Sequence, residues 1–156
     1  MTQEEMKLLM TDLCGRIQYN VVCHISQQSQ NKKDRNIDVD DVLVDINKDG
    51  VCEFEKTTGF FFGLFDLDEV KPYLRPMKDM SEDEEKVFLS LKCGLGVTDL
   101  SDVENSLVFR TDSIDWLNEH HFDYRGLIKK GLALEATEEV LSEYKQMLQK
   151  NENRNV

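Results

Sequence analysis

The stretch VLVDINKDGVCEFEK, residues 42–56, sets apolar residues in alternation around the turn signal NKDG. Val42, Val44 and Ile46 fall on one face of the first arm, Leu43 and Asp45 on the other, the period of a half-buried strand. Asn47, Asp49 and Gly50 are the residue types that a type I turn closed by a left-handed glycine requires. The spacing predicts a hairpin over 42–46 and 51–55. In it Asn47 faces Val51, Ile46 faces Cys52, Asp45 faces Glu53 and Val44 faces Phe54. Apolar side chains then gather on one face and acids on the other.

Asp45, Asn47, Asp49 and Gly50 also match the opening of an EF-hand calcium loop, with Glu53 usable at its ninth position. Such a loop ends on a bidentate Glu, where this chain has Lys56, and is flanked by helices where this chain has strand patterns. The hairpin is the reading, and no metal is expected there. His120 and His121 lie among Asp115, Glu119 and Asp123, but neighbouring helical residues point about 100° apart and cannot easily share an ion. Neither HExxH nor a Cys/His zinc pattern occurs. GxSxG and GxxxxGK[ST] are absent too, and Gly94–Leu95–Gly96 stands without the rest of a phosphate-binding fingerprint. The expectation is no enzyme, no catalytic residue and no cofactor.

Outward from the hairpin, Thr2 and Glu5 have capping-box spacing, and Met6, Leu9, Met10 and Leu13 follow as a helical stripe ending near Gly15. VVCHI at 21–25 reads as a strand, and the polar segment 26–36 as a mobile loop. Phe60, Phe61, Phe62, Leu64 and Phe65 are expected in the core. Pro72 and Pro76 restrict 66–76 to short helical turns. Ser81 and Glu84 start a second capped helix, whose acidic first turn suits the helix dipole. Residues 94–105 read as a loop and SLVFR, 106–110, as a strand. A helix is expected over 112–121, with Ile114, Leu117 and His121 on one side, and a turn of helix in RGLIKKGLAL. Thr137 opens a C-terminal helix carrying Val140, Leu141, Tyr144, Met147 and Leu148, and the tail at 150–156 is frayed. The fold class is therefore α+β. One domain over 1–156 has a small antiparallel sheet packed against N-terminal, central and C-terminal helices.

Composition narrows the function classes. A net charge of −12, from 31 acidic and 19 basic residues, opposes direct binding to a nucleic-acid backbone. A mean hydropathy of −0.50 and the acidic, unapolar start MTQEEMKLLM fit a protein without export signal or membrane span. Cys14, Cys23, Cys52 and Cys93 contain no CxxC pair and read as buried, reduced thiols of the cytoplasm.

Two segments, EVKPYLRPMKDMSEDEE at 69–85 and DWLNEHHFDYRGLIKKGLALEA at 115–136, resemble small proteins of Bacteroides-type gut bacteria and their phages or prophages. They cover about a quarter of the chain; the N-terminal third matches more loosely, and the end beyond Ala136 is longer than the pattern. The resemblance implies a mobile-element setting in a bacterial host and brings no catalytic residues to transfer. It suggests a non-enzymatic phage-type interaction protein that binds a basic surface and inhibits a host nucleic-acid-targeting defence system, as anti-CRISPR proteins do. The alternatives are an assembly component of a phage particle and, third, a small hydrolase. The candidate partner-binding residues are the acids Asp38, Asp40, Asp41, Asp45, Glu53 and Glu55 around the hairpin and Glu82, Asp83, Glu84 and Glu85 on the central helix. Trp116, His120, Tyr124 and Arg125 form a second candidate surface, with Trp116 favoured as core.

Overall fold

The N-terminal helix α1, Gln3–Arg16, begins at the capping box: Glu5 N–H donates to Thr2 Oγ1 at 3.2 Å, and Thr2 N–H donates to Glu5 Oε2 at 2.8 Å. Its buried stripe runs Leu9, Asp12, Leu13, Arg16, while Met6 is exposed. The apolar stripe expected from the sequence is thus rotated toward the helix C-terminus. An ion pair occupies two of its four positions, because Arg16 folds back on Asp12 one turn earlier and the pair enters the core together.

The computed structural model describes residues 1–28, 36–55, 64–91 and 111–143. Six strands form one sheet: β1 Val22–Gln27, β2 Ile37–Ile46, β3 Val51–Phe54, β4 Leu64–Asp66, β5 Val70–Leu74 and β6 Leu134–Glu135. Their order is β4-β3-β2-β1-β5-β6, antiparallel except for the β5–β6 pair. The helices α2, Glu82–Leu91, and α3, Thr111–Glu119, complete the main elements, and residues 138–143 are helical. The fold is α+β. No helix among the described residues is long and apolar enough to cross a membrane.

Leu9 and Leu13 of α1 pack on Cys23, Ile25, Leu43, Ile46, Cys52, Phe54 and Phe65 of the sheet. Each fully buried leucine contributes roughly 1.5–3 kcal/mol relative to exposure. A second cluster, Met80, Phe88, Leu117 and Phe122, joins α2 to α3.

Several sequence expectations are corrected by the strand pairing. Cys52 faces Ile46 and Glu53 faces Asp45, but Phe54 faces Leu43, because a β-bulge at Val44 shifts the register. The extra residue lets Leu43 and Ile46, three apart, share the core face and turns Val44 and Asp45 together toward solvent. Val44 is 46% exposed, not part of an apolar face. The turn itself has Gly50 at φ 81°, Gly50 N–H donating to Asn47 O, and Asn47 Oδ1 accepting from Asp49 and Val51 N–H. β1 runs through Gln27, into the first two residues of the expected 26–36 loop; residues 29–35 lie outside the described residues.

Residues 70–74 form a strand, not helical turns. Pro72 is tolerated because Leu74, which points its backbone the same way, gives its carbonyl to Ala136 on the β6 side. The missing Pro72 N–H therefore faces away from β1, and β6 begins one residue later, opposite Tyr73. RGLIKKGLAL forms successive hydrogen-bonded turns that lead into β6 instead of helix. His121 leaves the α3 stripe at φ 56°. Leu64 is 70% exposed, whereas Phe65 is buried. Cys14 is exposed, because its position on α1 lies off the buried stripe; Cys23 and Cys52 are buried free thiols. Phe60–Phe62, Cys93, the 94–110 loop and strand, Tyr144, Met147, Leu148 and the tail lie outside the described residues.

Arg16 Nε lies 2.7 Å from Asp12 Oδ2, its Nη2 donates to Asp12 Oδ1 and to Phe122 O, and Arg125 Nε approaches Asp12 Oδ1 at 3.3 Å. Asp12→Ala leaves two guanidiniums without their shared carboxylate and is expected to cost about 3–5 kcal/mol in chemical denaturation. Asp12→Leu combined with Arg16→Met, which removes the i,i+4 pair together, is expected to cost measurably less in the same experiment.

Candidate interaction surface

The strand register sorts the candidate acids into two sets. Asp45 and Glu53 sit directly opposite one another on the face of β2–β3 away from α1, and Leu64 of β4 lies opposite Glu53 on its other side. All three are exposed, as is Glu55 just beyond β3. Among the described residues neither Asp45 nor Glu53 is within ion-pair distance of a cation; Asp45 Oδ1 accepts only its neighbour's Ile46 N–H at 2.8 Å. Like charges opposed across strands cost roughly 0.2–1 kcal/mol.

The other acids around β2 do not join this face as free carboxylates. Asp41 is 3% exposed, opposite Cys23 on the core side, and takes Val42 N–H at 2.8 Å; it is removed from the solvent-facing set by strand parity. Asp40 is half-buried and spent locally. It lies opposite His24, whose Nδ1 is 2.8 Å from Asp40 Oδ1, and Tyr73 Oη donates to both Asp40 oxygens at 3.2 and 3.3 Å. Asp38, highly exposed, completes this network with Oδ1 3.2 Å from His24 Nε2. Burial and the adjacent Asp40 carboxylate push the Tyr73 phenol up to about 12, so it remains a donor. With both imidazole nitrogens facing carboxylates, the network joins β1, β2 and β5. It lies beside a cleft of about 400 Å3 that Ser26, Lys71 and Leu134 also line. Sequence reasoning missed His24 and Tyr73. Their only signal was polarity at alternate strand positions, and the β1–β2 register that aligns His24 with Asp40 was not available from spacing.

On α2, Glu82 and Asp83 are exposed and Asp83 pairs with Lys86 at 3.1 Å. Glu85 is half-buried. Glu84 faces inward: Arg75 Nη1 and Nη2 donate to its two oxygens at 2.7 and 3.0 Å, and Ser81 N–H donates to Oε2 at 2.9 Å. The guanidinium first, and then the Ser81 bonds, hold the Glu84 carboxyl down at about 2. Arg75 also lies over the Phe122 ring at 4.3 Å, and its backbone exchanges hydrogen bonds with His121 and Asp123. The cleft above it, about 540 Å3, is lined by Asp79, Glu84 and Glu138.

The four residues of the second candidate surface are half-buried and held in local contacts. Trp116 packs on Phe88 and Phe122, with His120 stacked over it at 4.1 Å and His120 Nδ1 2.9 Å from Trp116 O. Tyr124 donates to Asn118 Oδ1, and its ring lies under both Arg16 and Arg125. Arg125 in turn pairs with Asp12. Burial, with Arg16, His120 and Arg75 nearby, lowers His121 to about 4.

Two acid-stability windows follow. His121 binds a proton more weakly in the fold than the ordinary 6.5, so its contribution is complete above pH 6.5 and is lost as pH falls toward about 4. Glu84, depressed from 4.5, contributes fully above pH 4.5 and loses that contribution as pH falls toward about 2. Denaturation measured between pH 8 and 2 is expected to show the upper window removed by His121→Asn and the lower one by Glu84→Gln, each worth about 1–3 kcal/mol.

No family model, curated protein or solved structure matches this chain.

Proposed function

We propose that this chain is a non-enzymatic, acidic interaction module of phage or mobile-element type. It acts in the cytoplasm of a bacterial host by occupying the basic, nucleic-acid-binding surface of a defence effector of the CRISPR kind. The observation that carries this reading is the opposed Asp45–Glu53 pair, unneutralised among the described residues of a chain whose net charge is −12. Four of its other carboxylates are engaged by the protein itself: Asp12 by two arginines, Glu84 by Arg75, Asp40 by His24 and Tyr73, Asp123 by the Leu127 and Ile128 N–H groups. A cationic partner turns the Asp45–Glu53 repulsion into attraction and gains steering from the overall charge.

The test is competition for nucleic acid. Added to RNA-guided nucleases of a Bacteroides-type host, the protein is expected to displace target DNA from at least one of them. Charge reversal, Asp45→Lys with Glu53→Lys, is expected to weaken that displacement by about tenfold or more while the unfolding midpoint is maintained. Unchanged competition by the double variant removes this face from the reading. Failure to compete, with stable oligomers that co-purify with virions, favours a particle-assembly role instead.

A further inference from the structure

The face that carries Asp45 and Glu53 has a second property that charge alone does not explain. Val44 is 46% exposed and Leu64 is 70% exposed; Leu64 stands in the same cross-strand row as the two acids, and Val44 lies beside Asp45 on β2. The bulge adds Val44 to this face. Without it, strict alternation from Asp45 would turn Val44 into the core opposite Phe54; with it, Val44 joins Asp45 on the solvent side, while Asp45 lies opposite Glu53 and Leu64 lies on the far side of Glu53. The two carboxylates thereby have hydrocarbon at either end, Val44 next to Asp45 along β2 and Leu64 beyond Glu53, in a row two inter-strand spacings wide, about 10 Å.

The composition of the row selects its occupant. A second copy of this chain would set acid pair against acid pair, and a nucleic-acid backbone carries the same sign. A lysine answers the charge with a compact ammonium, a point charge on a flexible stem. An arginine suits the pair better: its planar guanidinium can bridge carboxylates whose Cβ atoms are about 5 Å apart, and aliphatic residues two positions away, on the same side of an extended chain, can cover Val44 and Leu64. A width of about 10 Å corresponds to three residues of extended chain. Resting on the basic-partner reading above, we infer that this row is the docking surface for an extended segment of the partner in which an arginine has aliphatic residues two positions away, on the same side of the chain.

The experiment uses the whole chain and two fluorescein-labelled peptides of equal charge, a Val/Arg peptide repeating Val-Ser-Arg-Ser and a Ser/Arg peptide repeating Ser-Ser-Arg-Ser, so that in extended chain Val and Arg share one side, with affinity read by anisotropy. The Val/Arg peptide is expected to bind about tenfold tighter than the Ser/Arg peptide. Leu64→Ser and Val44→Thr, at exposed positions where folding is checked by 1H–15N spectra, are expected to erase that preference and leave the Ser/Arg affinity unchanged. Asp45→Asn with Glu53→Gln is expected to weaken both peptides. Equal affinity for the two peptides, or a preference that survives Leu64→Ser, overturns the arginine–aliphatic assignment and leaves the basic-partner reading standing. Binding of neither peptide overturns both.

Discussion

The buried Asp12–Arg16 pair is the constraint on which the arrangement of the helices depends. Both side chains are fully buried, so each charge must find its partners within the protein. Arg16 finds them in Asp12 and in the carbonyl of Phe122, which ties the end of α1 to the turn after α3. Arg125 adds a second cation to the same carboxylate, and the Tyr124 ring lies against both guanidiniums. The helices approach closely there: a Cβ at Gly15 would meet Asn118 Nδ2 at 3.0 Å, so the Asn118 amide would have to give by a few tenths of an ångström to admit it. From Phe122 the chain is tied on to β5 by the Arg75–His121 and Arg75–Asp123 backbone bonds, and Arg75 reaches α2 through Glu84. One ionic centre and one arginine relay thus connect α1, α3, β5 and α2.

This internal use of charge gives the outer face its meaning. An acidic chain can spend carboxylates on arginine pairs, on helix caps and on backbone N–H groups, and this one does so at Asp12, Glu84, Asp41 and Asp123. Asp45 and Glu53 are spent on no cation among the described residues, and a bulge sets Val44 beside Asp45 while Leu64 lies beyond Glu53. A sheet face that places like charges in register and leaves aliphatic groups bare loses stability by both features. An arginine-bearing partner relieves both at once, which is why the proposed function is placed on this face and not on the equally acidic first turn of α2, where Glu84 is already bound.

The sequence reading was strongest where a local rule acts within a few residues. The Thr2–Glu5 and Ser81–Glu84 capping boxes could be read directly because both partners lie within one helical turn. The Asn47–Gly50 turn was legible from its residue types, and the α+β class from the change between period two and period 3.6. The reading failed where a charged or proline residue was judged by its usual surroundings. Pro72 read as confining its segment to short helical turns and Asp41 as a solvent-facing acid. Each is placed otherwise by a partner distant in the chain: β6 and Cys23.

The sequence by itself therefore determined the elements that close on themselves, the acidic balance, and the opposition of Asp45 to Glu53, because a turn of set length carries its register for the first few pairs. Only the tertiary structure decided which carboxylates are left without a cation among the described residues. The Val44 bulge reset the parity of β2, and pairing with β1 buried Asp41 and joined Asp40 to His24 and Tyr73. The physical reason is that a side chain's face follows from local periodicity, whereas its burial and its ion-pair partners follow from what the rest of the chain lays against that face.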